Sequence, residues 1–337
     1  MKPRILVLSF SNIQTDPRVQ RQIILLKEKF DVTVAGFCSE NILEVSVISI
    51  PGFNKKFFFQ VKKAVLLLSK SFESFYYNLA PVVALRKICS EKKFDIILAN
   101  DVDSLPVAFD IAKGAPVVLD AHEYSPKEFS NWKWRLFFAP YKQWLCETYL
   151  PRVHGMSTVC QGIAEEYGRN FGVRCTVVTN AATYHDLQPS PLKEGRIRLI
   201  HHGASIRERQ LERMVDMMDL LDDRFTLDLM LVPHEPKYLD MLRRRAGKNH
   251  RIRFVDPVPF DMIVKKLNEY DIGIYILPFS NFNNRYALPN KFFEFVQARL
   301  GIAIGPSPEM MRLVQEHELG LVAKDFAPES MAEVLGK

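Results

Sequence analysis

Asn284-Arg285-Tyr286-Ala287-Leu288-Pro289-Asn290-Lys291-Phe292-Phe293-Glu294-Phe295-Val296-Gln297-Ala298-Arg299-Leu300-Gly301-Ile302-Ala303-Ile304-Gly305 is the stretch from which the rest of the chain can be read. A polar loop runs into Pro289-Asn290, where the Asn290 side chain is expected to cap a helix by accepting a bond from a free backbone N–H. Phe292, Phe295 or Val296, and Leu300 then recur at helical spacing. Gly301 is expected to stop that helix and Ile302-Ala303-Ile304 to form a buried strand. Glu294 then falls in the first turn, near free N–H groups and the positive end of the helix dipole. Such a place suits an anionic or hydroxyl-rich ligand.

The same alternation of strand and helix extends to both ends. Residues 4–10 read as a buried strand, and Asp16 as the cap of a helix that Pro17 opens at its first position. Val19, Ile23, Leu26 and Phe30 make that helix's apolar stripe. Strands are expected at 32–35, 45–50, 96–99, 116–119 and 156–159, with helices from about Asn78 and Ser104, across 132–149 and across 163–171. Residues 180–191 are polar with two prolines and read as a linker. The pattern then restarts with strands at 197–200, 225–232, 252–255, 272–276 and 319–322. This rhythm predicts two doubly wound parallel sheets of the α/β class, in domains 1–183 and 184–337. In such sheets, ligands gather beyond the carboxyl ends of the strands.

Three further motifs sit at predicted strand ends. Asp120-Ala121-His122-Glu123 places His122 at the ligand edge of the sheet, where an imidazole that titrates near neutrality could donate or accept a proton. His201-His202-Gly203-Ala204 reads as a turn, and Ser205-Ile206-Arg207-Glu208 as a capping box. That box sets Arg207 and Arg209 in the first turn of a helix, where their charge opposes the dipole and an anion would relieve the cost. Asp101-Val102-Asp103 has the spacing of a metal site, but is expected to cap the next helix instead.

Composition narrows the class. With 47% hydrophobic and 25% charged residues, the 337-residue chain is of ordinary globular type, and its length suits two domains. No run of eighteen uncharged apolar residues occurs, and the chain enters directly on a strand without the pattern of a secretory signal. Cys38, Cys89, Cys146, Cys160 and Cys175 are scattered and read as reduced core residues of a cytoplasmic protein. Between Lys55 and Lys93, lysines alternate with aromatic and aliphatic residues. A basic amphipathic helix there could lie on an anionic membrane, or pack on the core with a solvated lysine face. No nucleic-acid motif accompanies the charge. The absence of a GxGxxG run argues against a nicotinamide dehydrogenase.

The order of these motifs resembles retaining glycosyltransferases of family 4, on the two-Rossmann-domain fold called GT-B. The stretch Pro289-Asn290-Lys291-Phe292-Phe293-Glu294 is similar to that family's donor-sugar motif, with Tyr286 where many members carry a first Glu. The Asp120 to Glu123 segment and the Asp16-Pro17-Arg18-Val19 helix opening also look like the family. The resemblance implies two domains facing across a cleft, with Gly203, Arg207, Arg209, Pro289, Asn290, Lys291 and Glu294 holding a UDP- or GDP-linked sugar. It implies His122, Arg209 and Glu294 as catalytic residues, no metal and no further cofactor, and the loop at 256–259 beside the base. It also implies a final helix crossing back onto the first domain, which the chain ending at Lys337 is expected to lack. The implied reaction is hexose transfer to a glycan or lipid-linked acceptor in bacterial surface polysaccharide synthesis, in the cytoplasm, with peripheral membrane contact. An epimerase of the same fold, or a silent nucleotide-sugar-binding module, are the alternatives.

Overall fold

Strands rich in Ile, Leu and Val on both faces can be stable only when helices cover both sides, and the chain arranges them so. Residues 2–37, 43–53, 57–247 and 249–336 are described by the computed structural model, 57–60 by their backbone alone. The expectations that fall on Cys38, Lys55 and Lys56 lie outside the described residues. The chain divides into two compact units, 1–178 and 179–337.

In the first unit the strands are β1 (Arg4–Asn12), β2 (Asp31–Phe37), β3 (Ser46–Ser49), β4 (Ile96–Asn100), β5 (Val117–Ala121), β6 (Gly155–Thr158) and β7 (Thr176–Val177). They form one sheet in the order β3-β2-β1-β4-β5-β6-β7, with every pairing parallel. Ile5, Leu6, Val7 and Leu8 of β1 are all buried, as a central parallel strand requires.

The second unit repeats the plan with β8 (Ile197–Ala204), β9 (Phe225–Val232), β10 (Ile252–Val255), β11 (Ile272–Tyr275), β12 (Gly301–Ile304) and β13 (Gly320–Val322). Their order is β10-β9-β8-β11-β12-β13, again parallel. In each sheet the order reverses beside the first strand, between β1 and β4 and between β8 and β11. That reversal opens a crevice at the carboxyl ends, the usual ligand position of such sheets.

Several local expectations need correction. The helix over 132–149 is two, Trp132–Phe137 and Ala139–Tyr149, because Pro140 cannot supply the N–H that continuity demands. The basic stretch holds three helices, Phe57–Leu68, Phe72–Tyr77 and Ala80–Ile88. Residues His201 to Ala204 are the end of β8, not a turn. The helix after Pro289 starts at Asn290 itself, so Asn290 is not the cap and Glu294 lies in the second turn. That helix ends at Gln297, and Arg299 takes the left-handed position at φ +60°, leaving Gly301 to begin β12. Among the described cysteines, Cys89, Cys146 and Cys160 are buried, whereas Cys175 is partly exposed. Asp16 does cap the helix Pro17–Leu26, accepting from the Val19 N–H.

Two glycines separate backbone conformation from packing. Gly320 (φ +153°) lies so close to β12 that a Cβ would fall 2.1 Å from the Ile302 carbonyl oxygen. Gly114 (φ +93°) has nothing within 4 Å of that point. Gly114→Ala should therefore cost about 1–2 kcal/mol from conformation alone, and Gly320→Ala clearly more. Melting temperatures of the two variants check this, and equal losses would refute the packing term.

Candidate functional site

At the carboxyl edge of the first sheet, the chemistry is organised around a buried carboxylate. Asp120, at the end of β5, is 2% exposed. It accepts two bonds of 2.6 Å from the Arg18 guanidinium, one of 2.6 Å from Gln22 and one of 2.6 Å from Ser157. Burial alone would raise its pKa, but the bonds from His122 and Arg18 outweigh that and hold it well below the usual carboxylate range.

His122 stands beside it. Its Nε2 lies 3.1 Å from Asn100 Oδ1 and 3.5 Å from Asp120, and its Nδ1 lies 3.6 Å from Asp101. The Asn100 amide nitrogen donates to the Leu8 carbonyl, so Oδ1 is the atom facing the ring and Nε2 carries a proton. Burial works against the imidazolium. Asp101 and then Asp120 overcome it and raise His122 to about 9. At neutral pH the ring is thus a cation and a hydrogen-bond donor. Next to it, Glu123 is pushed up to about 7, first by loss of hydration in the concave surface and then by Glu128 and Asp101.

Asp101 holds this edge at a backbone cost. Its φ of +62° and ψ of +154° fall in a region that is essentially glycine's. Its N–H donates to the Asp120 carbonyl at 3.0 Å, and its carboxylate accepts the His122 N–H at 3.0 Å. Neither Asp101 nor Asp103 caps the following helix by a side-chain bond. Asp103 is instead paired at 2.5 Å with the buried Lys142, which also reaches Glu128 at 3.1 Å. Beyond Asn100, Asp101 and Asp103 opens a cavity of about 820 Å³.

In the second domain, positive charge converges on the end of β8. Gly203 has φ +127°, and a Cβ there would lie 2.9 Å from Lys291 Nζ and 3.7 Å from an Arg209 guanidinium nitrogen. Lys291 is 7% exposed, and its ammonium also sits 4.3 Å from the Tyr275 ring centroid. Burial, and then Arg209, depress the Lys291 pKa well below its ordinary value. His201 is held neutral by burial and by Lys291. Its Nδ1 lies 2.9 Å from the Ile274 carbonyl, which only accepts, so Nδ1 bears the proton and Nε2 faces Lys291 at 3.4 Å as an acceptor. His202 Nε2 lies 3.1 Å from Glu294, both side chains being buried. Burial lowers the His202 pKa, against the pull of Glu294.

The structure thus brings Gly203, Arg209 and Lys291 together and sets Glu294 against His202. Arg207 has different neighbours: its guanidinium lies over the Tyr238 ring, 4.9 Å from the centroid. The expected capping box is not formed. Arg207–Arg209 is a single 3-10 turn, the α-helix begins at Glu212, and Glu208 accepts from Ser280 and Asn281 instead. Pro289 precedes the first residue of the helix Asn290–Gln297 as its N-cap, without a side-chain bond. Tyr286 packs against Phe282 with the rings tilted by 41°, 4.8 Å between centroids.

Residues 28–182 match the family model Glycosyltransferase Family 4. The two-sheet plan is that of the GT-B fold. Among solved structures, the sucrose-phosphate synthase of Thermosynechococcus elongatus superposes with TM-score 0.73 at 11% identity, over 99% of this chain and 89% of that one. HepE of Anabaena, in complex with UDP-glucose, gives 0.69 at 15% identity over 99% and 88%. A TarM variant of S. aureus, in complex with Fondaparinux, alpha-GlcNAc-glycerol and UDP, gives 0.59 at 10% identity over 76% of this chain. The present chain spans 51% of that TarM chain. No curated protein sequence matches.

Sequence reasoning missed several residues of this candidate site. Arg18 and Gln22 of the helix Pro17–Leu26, Asn100 of β4 and Ser157 of β6 hold Asp120 and His122, and only the sheet order brings them together. His201 and His202 did carry a signal: two histidines ending an apolar strand are buried polar groups in need of partners.

Because the folded His122 pKa is raised, the stability it contributes is complete below its unfolded value near 6.5 and is lost as pH rises through about 9. The loss should be on the order of 3 kcal/mol at most. The difference in melting temperature between the parent and His122→Gln should shrink from pH 6 to pH 10. A difference independent of pH would show that His122 is not a folded-state cation.

Proposed function

We propose that the chain transfers a hexose, with retention, from a nucleoside diphosphate sugar to a glycan or lipid-linked acceptor. The observation that carries this reading is the crowding of Arg209 and Lys291 around Gly203. Two cations share the carboxyl end of β8, and burial and Arg209 both disfavour the Lys291 charge. A diphosphate placed there would relieve both costs, and a glycine admits it because any side chain would collide with Lys291. As the glycosidic bond breaks, negative charge grows on the departing diphosphate, and these cations would stabilise the transition state more than the ground state. Glu294, anchored by His202, offers a carboxylate for hydroxyls of the donor.

His122, as a cationic donor clamped by Asp120 and Asn100, would serve to hold a sugar or acceptor hydroxyl rather than to take up its proton near neutral pH. In this reading no metal takes part: Asp103 is neutralised by Lys142, and Asp101 is used to hold His122. The likeness to UDP-sugar complexes such as that of HepE supports a UDP-linked donor. A cytoplasmic place in bacterial surface polysaccharide synthesis, with lysine-rich helices of the first domain against the membrane, accords with the chemistry. None of the described helices is long and apolar enough to cross a membrane.

Arg209→Ala and Lys291→Met should each remove a charged contact of about 1.5–3 kcal/mol, weakening UDP-glucose binding roughly ten- to hundredfold. Titration calorimetry checks this, and unchanged affinity in folded variants would overturn the diphosphate assignment. GDP-glucose in the same titration reports the base preference.

Turnover is a separate test. His122→Gln should leave donor affinity within a few-fold yet cut transfer by about 10²-fold, the scale for losing a charged donor aimed at the transition state, and chelator should leave the parent rate unchanged. Equal losses of affinity and rate would reduce His122 to a binding contact. Donor consumption with no acceptor present would favour an epimerase.

A further inference from the structure

Helix Trp132–Phe137 buries none of its six residues, although four of them are Trp132, Trp134, Leu136 and Phe137. Trp132 is 68% exposed and Leu136 49%. The helix packs against Phe57–Leu68, which turns Val61, Val65 and Leu68 to solvent. Inward of both lies the 820 Å³ cavity, a volume typical of small-molecule sites.

The two sides of this cavity differ in chemistry. One is the sheet edge, where Ser9 follows from β1 and Asn100 and Asp101 from the adjacent β4. The other is made by helices and is apolar, with Leu67, Phe75, Leu79, Phe137 and Tyr141 among its residues. Phe53 and Phe129 line it as well and are themselves 42% and 43% exposed, so the apolar surface runs without a break from outside to inside. The acids of the polar side are already engaged, Asp103 with Lys142 and Asp101 with the His122 N–H, so that side offers hydrogen bonds rather than an unbalanced charge.

We propose that this cavity seats the hydrocarbon chain of an amphiphilic acceptor, with the head-group hydroxyl at Asn100 and Asp101, beside His122. A wholly polar glycan would leave the helical side unmatched, whereas an amphiphile matches both. The exposed apolar helices, flanked by Lys62, Lys133 and Arg135, continue the same surface toward a bilayer in which such a molecule resides. The word acceptor rests on the transferase reading; the seat for a chain stands on the cavity itself.

Dodecyl maltoside, kept below its micelle concentration, is the probe, with octyl maltoside and maltose as controls. Trp134 lines the cavity and reports by fluorescence. The dodecyl probe should bind saturably, the octyl probe at least tenfold more weakly, and maltose not measurably. Ala64→Trp places bulk in the cavity and should weaken dodecyl binding at least tenfold, while UDP-glucose affinity, read in parallel, stays as in the parent. Should that variant not fold, Phe129→Ser at the rim should weaken binding at least threefold. Non-saturable adsorption, maltose binding as tightly as the dodecyl probe, or binding indifferent to the substitutions would overturn the proposal. Loss of the transferase reading would appear separately, as a parent that binds the dodecyl probe but no nucleotide sugar.

Discussion

The buried pair of Arg18 and Asp120 governs the carboxyl edge of the first domain. A carboxylate at 2% exposure is tolerable only with its lone pairs occupied, and Arg18 and Gln22 from one helix and Ser157 from β6 occupy them. The pair is bidentate, so it fixes orientation as well as charge. Arg18 also donates to the Val178 carbonyl at 3.0 Å, which extends the grip to the end of the unit. With Asp120 immobile, the adjacent imidazole meets a fixed negative field, and its protonation follows from that field rather than from solvent pH near neutrality.

The second domain uses the opposite device. Its carboxyl edge concentrates cations beside a strand that buries two histidines, and the histidines are kept neutral by the same burial that weakens the lysine. One imidazole receives the lysine and the other meets the carboxylate of Glu294, so each polar group inside has a defined neighbour. Fold alone does not decide activity. What distinguishes this edge is that burial and Arg209 both work against the charge of Lys291.

The architecture was legible because parallel strands buried on both faces leave uninterrupted apolar runs, as at Ile5 to Leu8, and because a polar stretch with two prolines separates the two halves. The site was legible only in part. Lys291 and Glu294 could be located on a helix by periodicity, but not their partners on β8, since pairing between β8 and β11 is a long-range fact. The capping motifs misled for a local reason: Ser205 and Glu208 fit the pattern of a helix start, yet the Ser205 hydroxyl donates to the Val232 carbonyl and Glu208 receives two side chains from a distant loop. Tertiary hydrogen bonds outcompeted a local one of similar strength. Pro140 was read through as the interior of one helix, and its break frees the aromatic helix before it from the longer one behind.

Asp101 shows where the demands on this protein diverge. Glycine would occupy its backbone conformation without strain, and so would raise stability at that position, but it would carry no carboxylate to receive the His122 N–H. Selection acting on stability alone would be expected to remove the aspartate, and selection acting on the site would keep it. Relatives that have abandoned catalysis should therefore drift toward glycine at this position early. A glycine there in a relative would mark an edge whose imidazole is no longer held by this carboxylate.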